Sequence, residues 1–302
     1  MKRSLVQLHI AVLLAGFTGV LGKLITLNEG LLVWYRLMIS SATMWLVFWL
    51  TRRLQKISML DAARLTGIGF LSALHWLCFY GSIKSANVSV ALICFSSVGF
   101  FTALLEPVFS KKKINMIEVL LGLLVMAGIA VIFRFDPQYK TGIMLGVACA
   151  VLLALMVIFM KSFTERINSQ TILTYQLTGG FVTLSLFLPL YLRWFPPTHI
   201  IPTLPDFLWL LVLSWFCSVI AFQLSVNSLK KLSAFTVNLS FNLEPVYGIV
   251  LAFLIYHENK QLGWSFFVGL SLIVLALGLQ MSRLAFHAHQ ARKVEEVEEL
   301  FS

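Results

Sequence analysis

Ten apolar runs separated by polar connections divide the chain: Leu5 to Leu21, Leu31 to Leu50, Ala62 to Gly81, Val88 to Phe109, Ile117 to Phe133, Gly142 to Met160, Ile172 to Leu192, Phe207 to Val226, Ala234 to Tyr256 and Leu262 to Ala285. Each can cross about 30 Å of hydrocarbon as a helix. Most connections are only a few residues, too short to hold a domain. The first run follows Lys2 and Arg3 as a secretory signal would, but it has no small-x-small cleavage site and a second apolar run follows at once. It therefore counts as the first span. The expected fold is an all-α integral membrane protein with ten transmembrane helices.

The runs repeat. Leu232 to Gly269, slid back by about 147 positions, lies without a gap on Ser85 to Gly122, and Lys84/Lys231, Val90/Val237, Leu92/Leu239, Lys113/Lys260 and Gly122/Gly269 coincide. Lys23 closes the first run as Lys161 closes the sixth, and Tyr35-Arg36-Leu37 matches Tyr175-Gln176-Leu177 at an offset near 138. The second half's extra residues then lie largely in the loop Arg193 to Asp206, whose four prolines oppose helix continuation. Five spans is an odd number, so the second half starts from the opposite face and the two repeats are inverted. The expected units are a first five-helix repeat (1–136), a second (137–286) and a cytoplasmic polar tail (287–302).

Composition agrees: 59% of residues are hydrophobic, 12% are charged and the mean hydropathy is +0.89. Too little polar surface is available to coat a soluble globule of this size. The net charge of +10 is spread in short clusters between apolar runs and forms no nucleic-acid-reading motif. With the N-terminus in the cytoplasm, sixteen Lys and Arg fall on that side, six fall outside and Arg36 lies within a span. That asymmetry places both termini inside. Cys78, Cys94, Cys149 and Cys217 all sit in apolar runs without CxxC or zinc-like spacing. They read as packing residues.

Several segments carry a family resemblance: the basic residues closing spans one and six, WYRLMISS in span two, FYGSIKSANVSVALI leading into span four, and LEPVYGIVLAFLIYHENKQLGWSFFVGLSLIVLALG across spans nine and ten. Over nearly its whole length the chain resembles the EamA-type branch of the drug/metabolite transporter superfamily. The resemblance implies a 5+5 inverted-repeat carrier and leaves the solute open, since this branch includes exporters and importers of amino acids, other metabolites and drugs. One departure stands out. The family usually has proline at both aligned places, whereas Ser97 and Val98 stand opposite Glu244 and Pro245, and Glu106-Pro107 comes nine residues later. A symmetric pair of proline hinges is therefore not expected.

Ionisable groups at membrane depth are the candidate chemistry. Glu244 lies about 15 Å into its run at the helical rise, close to the midplane, and Pro245 removes the hydrogen bond to the carbonyl of Phe241. Ser240, Tyr247 and Gly248 share the Glu244 face, while Asn238, Asn242 and Pro245 form another stripe. The carboxyl either binds a substrate amine or carries a proton, or it is structural glue bonded to a neighbouring helix. Arg36, with Ser40 and Thr43 on its face, and His75, with Ser72, Phe79 and Ser82 on its face and Trp76 and Tyr80 adjacent, lie at similar depth on antiparallel spans. They offer a cation for a carboxylate, an imidazole, and aromatic faces for an apolar or ammonium group. The alternatives are that Arg36 snorkels to the outer headgroups and that His75 is a packing residue. In the second half Gln176 and Gln223 match Arg36 and Trp76, so the two ends of the cavity should be charged differently.

Glu106 reads as a structural ion pair or helix-end residue, and Ser96, Ser97 and Gly99 serve close packing as readily as ligand contact. Trp34, Trp194, Trp209 and Trp264 read as an interfacial belt. No Walker loop, HExxH, GxSxG or Cys/His cluster is present. The expectation is a secondary transporter of the bacterial inner membrane, an exporter or exchanger of a small metabolite, amino acid or drug-like solute, without enzymatic activity, cofactor or metal. Its substrate-binding residues would be Arg36, His75, Trp76, Tyr80, Asn238, Glu244 and Tyr247, with Glu244 also the candidate for proton coupling. The expected partners are the small-molecule solute and the lipid bilayer, not nucleic acid, with a homodimer left open. The alternative is a membrane-embedded enzyme or scaffold acting on lipid-linked substrates.

Overall fold

The computed structural model describes residues 2–110, 113–164, 166–229 and 243–301. Twelve helices are numbered in chain order: α1 Lys2–Leu24, α2 Glu29–Leu50, α3 Met59–Ser85, α4 Val88–Phe95, α5 Val98–Ser110, α6 Met116–Phe135, α7 Lys140–Lys161, α8 Ser169–Trp194, α9 Leu204–Ser214, α10 Ala221–Leu229, α11 Glu244–Tyr256 and α12 Trp264–Phe301. A π-helical segment, Trp215–Ile220, joins α9 to α10. Among the described residues, nine stretches are long and apolar enough to cross a membrane, α4 with α5 counting as one, and α11 is a further, shorter apolar helix. The protein is an all-α, multi-pass membrane protein.

Polar residues in the connections start the helices. The side chains of Asn28, Ser58, Asn87, Asn115, Asn168 and Thr203 accept from backbone N–H groups in the first turns of α2, α3, α4, α6, α8 and α9. Each such cap is worth about 1 kcal/mol. Hydrogen bonds between connections then sort them onto two faces. On the face carrying the termini, Arg166 forks onto Asp61 at 2.8 and 2.7 Å and Ser228 donates to the Ser4 carbonyl at 3.1 Å. On the opposite face Lys23 reaches Glu258 at 2.8 Å, and Thr26 donates to Asp206 through its backbone and hydroxyl, both at 2.7 Å. This alternation is what inverted repeats require.

Two spans differ from the uninterrupted helices expected. Span four breaks after Phe95, where the Ser96 and Ser97 hydroxyls donate to the carbonyls of Leu92 and Cys94 at 3.2 and 2.6 Å. Such local bonds compete with the helical ladder, so this interruption needs no proline. At the matching place in the second half, α11 begins at Glu244 with Pro245 in its first turn, where a missing N–H costs nothing. Equivalent helix starts therefore occur in both repeats despite unlike sequences. Span eight carries the π-segment, which widens the turn so that the Ser218 hydroxyl reaches the Leu213 carbonyl at 3.3 Å.

The last helix, α12, runs unbroken for 38 residues, about 57 Å at the helical rise.

The halves meet where α3 packs against α7 and α8. A Cβ on Gly69 would lie 2.2 Å from the Gln176 carbonyl oxygen and 2.4 Å from the Gly180 nitrogen, and one on Gly179 would lie 2.4 Å from the Thr66 Cα. Backbones this close require glycine, the small-residue packing that membrane helices use in place of a hydrophobic drive. Of the four free cysteines, Cys94, Cys149 and Cys217 are buried and Cys78 is half-buried.

Candidate functional site

Arg36 is 3% exposed, eight residues into α2, and does not extend to a headgroup layer. Its guanidinium is held on three sides. Nη1 donates to the Tyr80 hydroxyl at 2.6 Å, Nε and Nη2 both donate to the Ser218 hydroxyl at 3.1 and 3.0 Å, and the charge lies 4.2 Å from the centre of the Trp76 ring. Trp76 and Tyr80 come from one face of α3, one turn apart. Ser218 comes from the π-segment, so α2 and α3 of the first half and span eight of the second all contribute. A desolvated cation over an aromatic face is worth about 2 kcal/mol, far less than ion desolvation costs. Three of the five guanidinium N–H groups are used in these bonds, which leaves one on each Nη. No carboxylate among the described residues forms an ion pair with Arg36.

Glu244 carries a carboxylate whose charge interacts with that of Arg36. It is the first residue of α11, half-buried, and within electrostatic reach of Arg36, Cys149 and Cys217. Its helix, α11, packs against α1 and α4. The α11 backbone approaches α1 at Gly16, where an added Cβ would lie 3.3 Å from the Glu244 carbonyl oxygen. A buried cation and a carboxylate whose charge interacts with it thus come from different halves of the molecule.

The other sequence-derived candidates divide. His75 is 6% exposed, with Nδ1 3.0 Å from the Cys149 carbonyl oxygen and 3.2 Å from its sulfur, between the rings of Phe79 and Phe95. It ties α3 to α7 beside the Arg36 corner. Tyr247 packs against Leu8 and Val12, its hydroxyl 3.5 Å from His9 Nδ1. Asn238 lies outside the described residues, as do Ser240 and Asn242. Ser40 is buried beside Arg36 with a hydroxyl that has no partner, and Thr43 accepts from the Trp215 indole at 3.1 Å. Gln176, the repeat's counterpart of Arg36, donates to Ser72 at 2.7 Å and to the Met156 sulfur at 3.4 Å. Both N–H donors of that neutral side chain are used within the protein.

The two faces are closed to different degrees. On the face opposite the termini the Glu258 side chain is 0% exposed; it accepts from Lys23, from the Val88 and Ser89 N–H groups and from the Ser89 hydroxyl, between 2.6 and 3.1 Å. It thereby joins the end of α1 and the start of α4 to the loop after α11, with an anion at a helix N-terminus where the dipole favours it. On the termini's face Lys161 pairs with Glu106 at 3.0 Å, but the lysine side chain is 62% exposed. Clefts of about 740 and 700 Å³ open on that face.

Sequence reasoning missed Ser218 and Glu258. WFCSVI contains neither glycine nor proline, so nothing marks a π-turn there. Glu258 follows an apolar run directly in HENK, and its only signal is that a lysine, Lys23, closes a span on the same face.

A family model described as the EamA-like transporter family matches residues 3–134 and 140–281, nearly the whole chain in two copies. A solved structure, titled only as a crystal structure of a protein, is similar with a TM-score of 0.61 at 17% identity, over 94% of this chain and 99% of its own. At that identity the likeness concerns the fold alone. No curated protein matches.

Proposed function

The chain belongs to the EamA-like transporter family, and starting from that membership we propose that it is a secondary carrier moving one small zwitterionic or amphipathic solute by alternating access. The halves, taken as residues 1–136 and 137–286, would rock about a binding site between them. One observation carries the reading: a buried guanidinium with two unused N–H groups stands in electrostatic reach of a carboxylate from the other half. In this reading the solute's anionic group docks on Arg36 between Tyr80, Ser218 and Trp76, and its cationic or hydrogen-bonding group faces Glu244. Trp76 covers the charge and excludes water, which strengthens the contact.

The excess of Lys and Arg on the termini's face makes that face cytoplasmic in this reading, the side from which an exported or exchanged solute would load. Export followed by metabolite profiling of medium and cells, then uptake of the leading compounds into proteoliposomes with and without a pH gradient, tests it. Saturable flux that requires both Arg36 and Glu244 is expected. Flux that does not saturate, or that survives Arg36→Gln and Glu244→Gln unchanged, would sink the proposal.

A further inference from the structure

We propose that the cleft between the end of α2 and the π-segment with α10 is a binding site for an anionic glycerophospholipid from the leaflet on the termini's side. The cleft holds about 740 Å³. Its walls are mostly apolar, formed by Val47, Phe48, Val219, Ile220 and Leu224 with Gln223 among them, and its mouth carries Arg53 with Asn168 and Gln170. Val47 and Ile220 are 40% and 39% exposed, so the cleft opens sideways between helices. Val47 lies within one turn of the end of α2, about 5 Å inside the membrane boundary at the helical rise, and Arg53 lies just beyond that end. Cation at headgroup level above an apolar slot in the acyl region is the chemistry of a phospholipid, not of a water-soluble anion.

A second observation points the same way. α2 ends in a turn in which Arg53 N–H donates to the Phe48 carbonyl at 2.9 Å and Arg52 N–H to the Trp49 carbonyl at 3.1 Å. That motif places its middle residue in the left-handed region, where glycine is usual, yet the residue is Arg52 with φ 51°. An arginine kept where glycine would be less strained argues for a role of its charge. The turn also divides the two arginines: Arg53 lines the first cleft, and Arg52 lines a neighbouring one of about 510 Å³ that shares Phe48. Both side chains are exposed and form no ion pair among the described residues. Two adjacent cations flanking one aromatic divider would grip a phosphate and its neighbouring glycerol oxygens, each cation contributing as basic groups near an anionic leaflet do.

The test uses the full-length protein in detergent with equal phosphatidylglycerol and phosphatidylcholine of matched chains, the bound lipid being read by native mass spectrometry. Retention of phosphatidylglycerol at about fivefold or more over phosphatidylcholine is expected, falling about fivefold in Arg53→Gln. Arg52→Gly should lower retention similarly while raising the thermal midpoint of the lipid-free protein, a split that a purely structural arginine would not produce. Ile220→Trp, which fills the slot without touching charge, should lower retention of both lipids. Arg134→Gln, on the other face, should change nothing. Equal retention of the two lipids, or wild-type retention in both arginine variants, would overturn the site, and displacement of phosphatidylglycerol by inorganic phosphate would replace it with a soluble-anion site.

Discussion

The corners around Arg36 and Gln176 occupy matching places in the two repeats, and both reach across to the other half, Arg36 to span eight and Gln176 to α3. Among the described residues, one leaves a formal charge without an ion-pair partner and two N–H donors unused; the other uses both of its N–H donors on a serine and a thioether. Duplication thus supplied two equivalent positions, and only one was made costly to the fold. A buried cation with no ion-pair partner among the described residues is costly to the fold. The ion pairs differ as well: the Glu258 carboxylate opposite the termini is wholly buried, whereas Lys161, which pairs with Glu106 on the termini's face, is largely exposed.

Arg36→Gln makes the two corners chemically alike. Transport should fall about 100-fold or more while membrane insertion is unchanged, measured as initial rates in proteoliposomes against the amount of folded protein. Arg36→Lys should recover little, since an ammonium lacks the planar fork that meets Tyr80 and Ser218 together. Glu258→Gln, with one good acceptor where the carboxylate has two, should lower the stability of the purified protein by about 3 kcal/mol. For Glu106→Gln at the solvated pair the loss should be under about 1 kcal/mol, both read from denaturant midpoints. Gln176→Ala should cost about 1 kcal/mol of stability by removing the hydrogen bond to Ser72, whose hydroxyl still donates to the Ile68 carbonyl, with transport per folded molecule nearly unchanged. If Gln176→Ala instead abolished transport while Arg36→Gln did not, the assignment of roles to the two corners would be reversed.

Most of the architecture was legible because lipid forces it: apolar length reports a span, the odd repeat reports inversion, and an arginine inside a span reports a site. Trp76 and Tyr80 could be grouped with Arg36 because a regular helix puts residues four apart on one face. Ser218 could not, because the π-turn changes that count locally without any residue that marks it. The break at Ser96 and Ser97 was hidden for a similar reason: hydroxyl-to-carbonyl bonds replaced the proline that would have announced it. Glu258 was passed over because loops were read for charge balance, and a carboxylate that folds back under a helix start looks like any loop acid in sequence.

The glycine contact of Gly69 with Gly179 and Gly180 bears on how such a molecule can move. Two helices touching backbone to backbone have no side-chain cushion at that point. They can turn about it, but sliding would drive carbonyl and amide atoms into one another. In the carrier proposed, a bearing of this kind near the middle of the membrane would make the two mouths opposite ends of one lever, so that widening one would narrow the other.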